Sequence, residues 1–184
     1  MTEVKILVEG YTSKNNDKNR TCPTITLVKD RGVVMVVDPG TVEEQEILIK
    51  KLKENNLTVE EVNFVCITHA HMDHYRNAGM FPNAKTFGCF GLWYGDKFEK
   101  IGKNLTRDIK IVKTPGHSDD SITLFVKTKK GKIAICGDVF WKENFPEKDI
   151  YANDMKKLRE SRKKVLKNAD FIIPGHGKMF PAKQ

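Results

Sequence analysis

The sequence predicts an α/β sandwich with sheets inside and helices outside, on three observations. Short apolar strands dominate both halves of the 184 residues. Each half closes with an amphipathic helix and one more strand, the order that layers helices outside sheets. Histidine and aspartate stand where apolar strands end, the place at which a rigid sheet presents functional loops. The length suits one domain, 1–184, with a core of real size.

From the start, Val4–Val8 reads as a short strand. Gly10–Arg20 is polar, rich in Asn and Lys, and reads as a mobile loop. Two apolar strands follow, Thr24–Lys29 and Val33–Asp38, joined by the hairpin signal Asp30-Arg31-Gly32. Thr41-Val-Glu-Glu44 has the form of a capping box that opens a helix. Ile47, Leu48, Lys51 and Leu52 continue it at helical spacing, and Asn55-Asn56 stops it. Val62–Thr68 is an apolar strand and Thr86–Cys89 a weaker one. Ile109–Thr114, Ile122–Lys127 and Ile133–Cys136 come next, the last two turning around Lys130-Gly131. Met155–Ala169 is a helix with Met155, Leu158, Arg162, Val165, Leu166 and Ala169 on one face. Its basic run, Lys156 to Lys167, falls on the outer, solvated face. Phe171–Ile173 is a last buried strand.

Composition narrows the class. Charged residues make up 30% and hydrophobic ones 39%, which excludes long disorder. No apolar run approaches the roughly 18 residues of a membrane span, and the first ten residues do not read as a signal peptide. Cys22, Cys66, Cys89 and Cys136 are scattered, without a CxxC, and read as reduced, buried thiols, so a cytoplasmic compartment is expected. The 32 Lys+Arg against 24 Asp+Glu leave a net charge of +8. That balance invites a nucleic-acid partner. The signal is weakened because only Arg20, Arg31, Arg76, Arg107, Arg159 and Arg162 carry the planar fork suited to phosphates and base edges.

All the histidines fall into one pattern. Three lie in His69-Ala-His71-Met-Asp73-His74, straight after an apolar strand. Two end Pro-Gly-His turns, Pro115-Gly-His117 and Pro174-Gly-His176, each again after an apolar strand. A fourth strand ends in Gly137-Asp138. A lone histidine is ordinarily a surface or core residue; here none is left over once the cluster is assigned. Neutral imidazoles and carboxylates suit borderline divalent cations, zinc first. Five imidazoles with Asp73 and Asp138 are too many for one tetrahedral ion and about right for two sharing a carboxylate.

The string His69-x-His71-x-Asp73-His74, followed in order by His117, Asp138 and His176, resembles the metallo-β-lactamase superfamily, and Val-Val-Asp38-Pro-Gly40 resembles its first motif. Leu7-Val-Glu-Gly-Tyr11, Gly79-Met-Phe-Pro82, Gly137-Asp-Val-Phe140 and the stretch from Ser161 to Gly177 are similar to the metallo-β-lactamase-domain-containing protein 1 subfamily. The resemblance implies an αββα four-layer sandwich: two mixed β-sheets flanked by helices, with two ions at one edge. It implies that His69, His71 and His117 hold the first ion, that Asp73, His74 and His176 hold the second, and that Asp138 bridges them. Asp38 would orient a ligand histidine from behind. Arg76 departs from the family pattern, where glycine is usual, and would alter the loop beside the site or touch a substrate anion.

The implied activity is that of a metal-dependent hydrolase. Two ions, zinc by expectation and iron or manganese as alternatives, hold between them a hydroxide with a pKa lowered to about 7, which attacks a carbonyl or phosphoryl centre. Asp73 is the candidate to steer that hydroxide or take its proton. Trp93 and Tyr94 within Phe90–Gly102, and Trp141 and Lys142 within Phe140–Ala152, are candidates to line a substrate cleft. The resemblance points to phosphodiester hydrolysis in RNA, as an endonuclease. Alternatives are a small-molecule thioester, lactone or β-lactam hydrolase, and an iron-dependent sulfur dioxygenase. A non-catalytic binding module fits poorly with an intact ligand set.

Overall fold

The computed structural model describes residues 2–15, 18–143 and 147–182. In chain order the elements are β1 (Glu3–Val8), β2 (Tyr11–Asn15), β3 (Lys18–Cys22), β4 (Ile25–Asp30), β5 (Val33–Val37), α1 (Gln45–Lys53), β6 (Phe64–Cys66), α2 (Met72–Tyr75), β7 (Lys85–Phe87), β8 (Leu92–Tyr94) and β9 (Lys97–Glu99). The second half follows with β10 (Ile109–Lys113), β11 (Ile122–Thr128), β12 (Gly131–Ile135), α3 (Met155–Asn168), β13 (Phe171–Ile173) and β14 (Phe180–Pro181). A seven-stranded sheet runs β1-β4-β5-β6-β7-β8-β9 and a five-stranded sheet runs β10-β11-β12-β13-β14. Both are mixed: β5, β6 and β7 are parallel neighbours in the first, β12 and β13 in the second.

Alternation along the strands builds four layers. Met35 and Val37 of β5 point between the sheets, where they meet Val28, Cys66 and Phe87 of their own sheet and Ile109, Leu124, Ile133 and Ile173 of the other. Val36, one residue out of phase, faces the opposite way and packs with Leu27 and Val65 under Leu48 and Leu52 of α1. On the far side, Phe125, Ala134 and Ile172 pack under Leu158 and Val165 of α3. The order α1, first sheet, second sheet, α3 is the αββα sandwich expected.

Several local expectations need correction. The polar run Gly10–Arg20 is not a loop: Tyr11 pairs with Cys22, Thr12 with Thr21 and Ser13 with Arg20 in a separate two-stranded hairpin. A ribbon with polar side chains on both faces has no apolar alternation to reveal it. Thr41 does not cap α1; the helix begins at Gln45 behind Glu44, without a side-chain cap. The Thr41 hydroxyl instead donates to the Thr21 carbonyl at 2.9 Å, tying the hairpin to the first sheet. Leu92–Tyr94 and Lys97–Glu99 extend the first sheet at its edge. By contrast, the turn at Arg31-Gly32 is the one expected: Asp30 pairs with Val33, and both turn residues take positive φ, 44° and 83°.

The strands that end in His or Asp all point to one edge. There the two sheets are stitched together: Ile122 N–H donates to Thr68 O at 2.8 Å, and Thr24 N–H to Gly175 O at 2.6 Å. Gly116 and Gly175 permit close approaches there. A side chain on Gly116, at φ 137°, would run into the Leu158 backbone, and one on Gly175 into Asp138 Oδ1.

Candidate metal centre

Each ligand side chain leaves a strand end and turns inward. The His69, Asp73 and His74 run follows β6, with α2 beginning one residue after His71 so that Asp73 and His74 fall in its single turn. His117 follows β10, Asp138 follows β12 and His176 follows β13. Two groups result, His69, His71, His117 and Asp138 in one and Asp73, His74 and His176 in the other. All are buried except His71 and Asp73, which are half-buried.

Hydrogen bonds behind the rings decide which nitrogens face in. His74 Nδ1 lies 2.9 Å from Asp38 Oδ2, His117 Nδ1 lies 2.7 Å from Asp149 Oδ2, and His176 Nδ1 lies 2.9 Å from the Cys22 carbonyl. Carboxylates and carbonyls only accept, so these three rings donate from Nδ1 and turn a bare Nε2 to the centre. The Thr68 hydroxyl donates to Asp38 Oδ2 at 2.7 Å and so accepts from His69 Nδ1 at 3.2 Å, giving His69 the same tautomer. Asp38 sits at φ 49°, a conformation rare outside glycine, which aims its carboxylate at Thr68 and His74 together.

Inside the centre the nitrogens crowd. His71 Nδ1 lies 3.0 Å from His69 Nε2 and 3.1 Å from His117 Nε2. A tetrahedral zinc with bonds near 2.0–2.1 Å holds its nitrogens about 3.3 Å apart. Asp138 splits its oxygens: Oδ2 lies 3.4 Å from His117 Nε2, and Oδ1 lies 3.4 Å from both His74 Nε2 and His176 Nε2. Asp73 Oδ2 lies 3.6 Å from His176 Nε2 and accepts from the Thr21 hydroxyl at 2.8 Å. His74 Nε2 and Asp138 Oδ1 are buried without a hydrogen-bond partner. An orphaned buried acceptor is costly unless something electropositive meets it, and two such atoms 3.4 Å apart fit a divalent cation. The donor set and its orphaned atoms thus suit metal.

Electrostatics divide the rings: His69 and His71 are held neutral, whereas a proton competes for His74 and His176. Burial, reinforced by the His74 ring, holds His69 well below the usual histidine value, leaving it neutral and ready to ligate. His71 is lowered too, by burial and by His117. Burial also opposes charge on His74 and His176, but Asp38 and Asp138 outweigh it for His74, and Asp138 for His176, so both are raised. Asp138, although burial resists its ionisation, is held well below the usual carboxylate range by His74 and His176. Burial also opposes ionisation of Asp149, but hydrogen bonds from His117 and the Tyr151 N–H hold its pKa down.

The candidate substrate residues divide. Trp141 is at the centre: its ring lies 6.2 Å from His117 and 6.0 Å from His176, and it stacks on Tyr151 at 5.4 Å. Lys142 follows it, exposed, its Cβ beside Gly177. Trp93 and Tyr94 lie on β8, where Trp93 packs on Phe98 at 4.8 Å and Lys85 lies 5.9 Å over Tyr94. Arg76 caps α2 with its side chain exposed. Sequence reasoning missed Asp149, Tyr151, Thr21 and Asp120, whose Oδ2 accepts from Ala70 N–H at 2.9 Å between two ligand histidines. None stands in a motif, and the contacts of Asp149, Thr21 and Asp120 cross 32 to 52 residues of chain.

Known proteins agree with this fold. A family model described as "Metallo-beta-lactamase superfamily" matches residues 23–88. An uncharacterised Caenorhabditis elegans protein is 32% identical over 85% of this chain, which spans 48% of that protein's length. A Methanocaldococcus jannaschii protein named "Probable metallo-hydrolase" is 32% identical across 94% of this chain and 86% of its own. The Xenopus laevis metallo-beta-lactamase domain-containing protein 1 is 28% identical across 96% and 80%. Among solved structures, a Thermotoga maritima candidate metallo-beta-lactamase superposes with TM-score 0.76 at 20% identity, covering 98% of this chain and 99% of that one. The dizinc quorum-quenching lactonase AidC, in complex with a product, superposes at 0.67 with 18% identity, covering 87% and 74%. Taken with the clustered histidines and aspartates, these likenesses establish that the chain belongs to the metallo-β-lactamase superfamily as one of its metallo-hydrolases.

Proposed function

We propose that the chain is a two-zinc phosphodiesterase acting on RNA. The observation that carries the two-metal part is the pair of ligand groups meeting at Asp138, one carboxylate oxygen toward each. When bound, a zinc pair supplies Lewis acidity and a water acidified to a pKa of about 7.

The chain's own residues supply position and charge. Asp38, Asp149 and the Cys22 carbonyl fix three rings with Nε2 inward, so no tautomer has to change. Thr21 donates to the Asp73 oxygen that faces His176, holding this carboxylate, the candidate proton acceptor, against the second group. Trp141 and Tyr151 form an aromatic wall over His117 and His176 on which a base beside the scissile bond can stack. The net charge of +8 favours a polyanionic substrate.

The same wall favours a second reading, a small ester, thioester, lactone or β-lactam with an apolar group against Trp141. A lactonase with its acyl-homoserine product among the structural neighbours supports it. Elemental analysis of purified protein, then gel assays on single-stranded RNA with and without chelator beside a lactone and thioester panel, tests both. Two zinc per chain and chelator-sensitive RNA cutting are expected. Intact RNA with rapid lactone or thioester turnover replaces the first reading by the second, and iron in place of zinc sends the search to sulfur dioxygenation.

A further inference from the structure

The excess positive charge has a structured home away from the metal centre. Between the C-terminal half of α3 and the far ends of β10, β11 and β12 lies a cleft of about 340 Å³. Val112 and Phe125 form its apolar floor, and Arg107, Lys110, Lys127, Lys132 and Lys164 surround it. Lys110 is the second residue of β10, about 13 Å of strand before Thr114 and the turn that carries His117. The cleft therefore opens at the opposite end of the second sheet from the metal ligands.

Its charge is uncompensated. Lys127 and Lys132 are direct cross-strand partners, a like-charge pairing that works against the sheet. Lys110, paired with Phe125, is the diagonal neighbour of Lys127 on the same face. Asp108, which also lines the cleft, is taken by Arg31 at 2.9 Å. Lys164 donates to the Lys113 carbonyl. Among the described residues no carboxylate pairs with the side chains of Arg107, Lys110, Lys127 or Lys132. The Asp170 carboxylate meets the backbone N–H of Lys132 instead.

We propose that this cleft is an exosite for the phosphate backbone of single-stranded RNA, which it grips remote from the metal centre; the assignment rests on the phosphodiesterase reading above. Cations spread over three strands and a loop suit a chain of phosphates more than a single anion. The recessed apolar floor suits base or ribose faces, and a concave groove does not fit a flat lipid surface.

The test uses zinc-loaded full-length protein and a fluorescent, hydrolysis-resistant phosphorothioate RNA, read by anisotropy across a salt series. The variant K110Q/K127Q/K132Q removes three exosite cations. Its affinity at low salt is expected to fall at least tenfold, and the slope of log affinity against log salt to shrink by about 2. Arg107→Gln, a single exposed change, is expected to shrink it by about 0.7. Zinc content and cutting of a dinucleotide, too short to reach the cleft, stay at wild-type levels. Unchanged RNA affinity and slope in both variants overturn the exosite. So does wild-type protein that binds anionic phosphatidylserine vesicles and no RNA. A protein that loses RNA binding with the three lysines, yet never cuts RNA, keeps the exosite and sinks the phosphodiesterase reading; one that cuts and binds normally without them does the reverse.

Discussion

Asp138 stands between the two groups, one oxygen toward His117 and the other toward His74 and His176. Asp138→Asn swaps one inward oxygen for an NH2 group that donates where an acceptor is needed. Zinc content is expected to fall from two toward one per chain by elemental analysis, with loss of hydrolysis. Behind the ligands, Asp149 fixes the His117 tautomer at 2.7 Å. Asp149→Asn leaves the fold intact and is expected to weaken metal binding about 10–100-fold, measured by competition with a zinc chelator. Protons compete for the same nitrogens. Because Asp38 and Asp138 raise His74, and Asp138 raises His176, that competition persists above the usual histidine value of about 6.5. Zinc affinity should therefore keep rising with pH through neutrality, with proton uptake by buffer visible in calorimetry. An affinity flat from mildly acid to mildly alkaline pH contradicts this proton competition at His74 and His176. The ligands themselves are legible residue by residue, since HxHxDH is a local string. Asp149, Thr21 and the Cys22 carbonyl are not, because their partners lie 32 to 154 residues away.

Among the elements, α3 does most to seat His117. Gly116 lets the helix backbone come against the Pro-Gly-His turn, and Asn153 N–H donates to the His117 carbonyl at 3.1 Å. Leu158 is fully buried beneath it. Leu158→Ala is expected to cost about 2–5 kcal/mol, read from urea unfolding. The periodicity of α3 is visible in sequence because one face is apolar and the other basic. The β2–β3 hairpin is invisible for the complementary reason, although it supplies both Thr21, which holds Asp73, and the Cys22 carbonyl, which holds His176. Polar segments that earn their order from contacts made elsewhere carry no pattern of their own.

At the scale of the molecule, metal binding is expected to couple to the fold. Ligands from both sheets converge on buried, unsatisfied atoms, so ions that bind only the folded chain stabilise it. Chelation is expected to lower the melting temperature by several degrees, and added zinc to restore it, in a calorimetric scan. No change on chelation would show the centre to be independent of metal. Charge is also divided at this scale: carboxylates gather at the ligand edge, while lysines gather at the far end of the second sheet.

The sequence by itself determined the class of fold and which histidines and aspartates are candidate ligands, because strand alternation and the placement of His and Asp after apolar runs are local facts. Tertiary structure alone decided that these residues meet, which ring nitrogen each turns inward, which aromatic wall stands over them, and that the excess lysines share one cleft. Those outcomes depend on which strands become neighbours and on distances between residues far apart in the chain, and no local pattern encodes either.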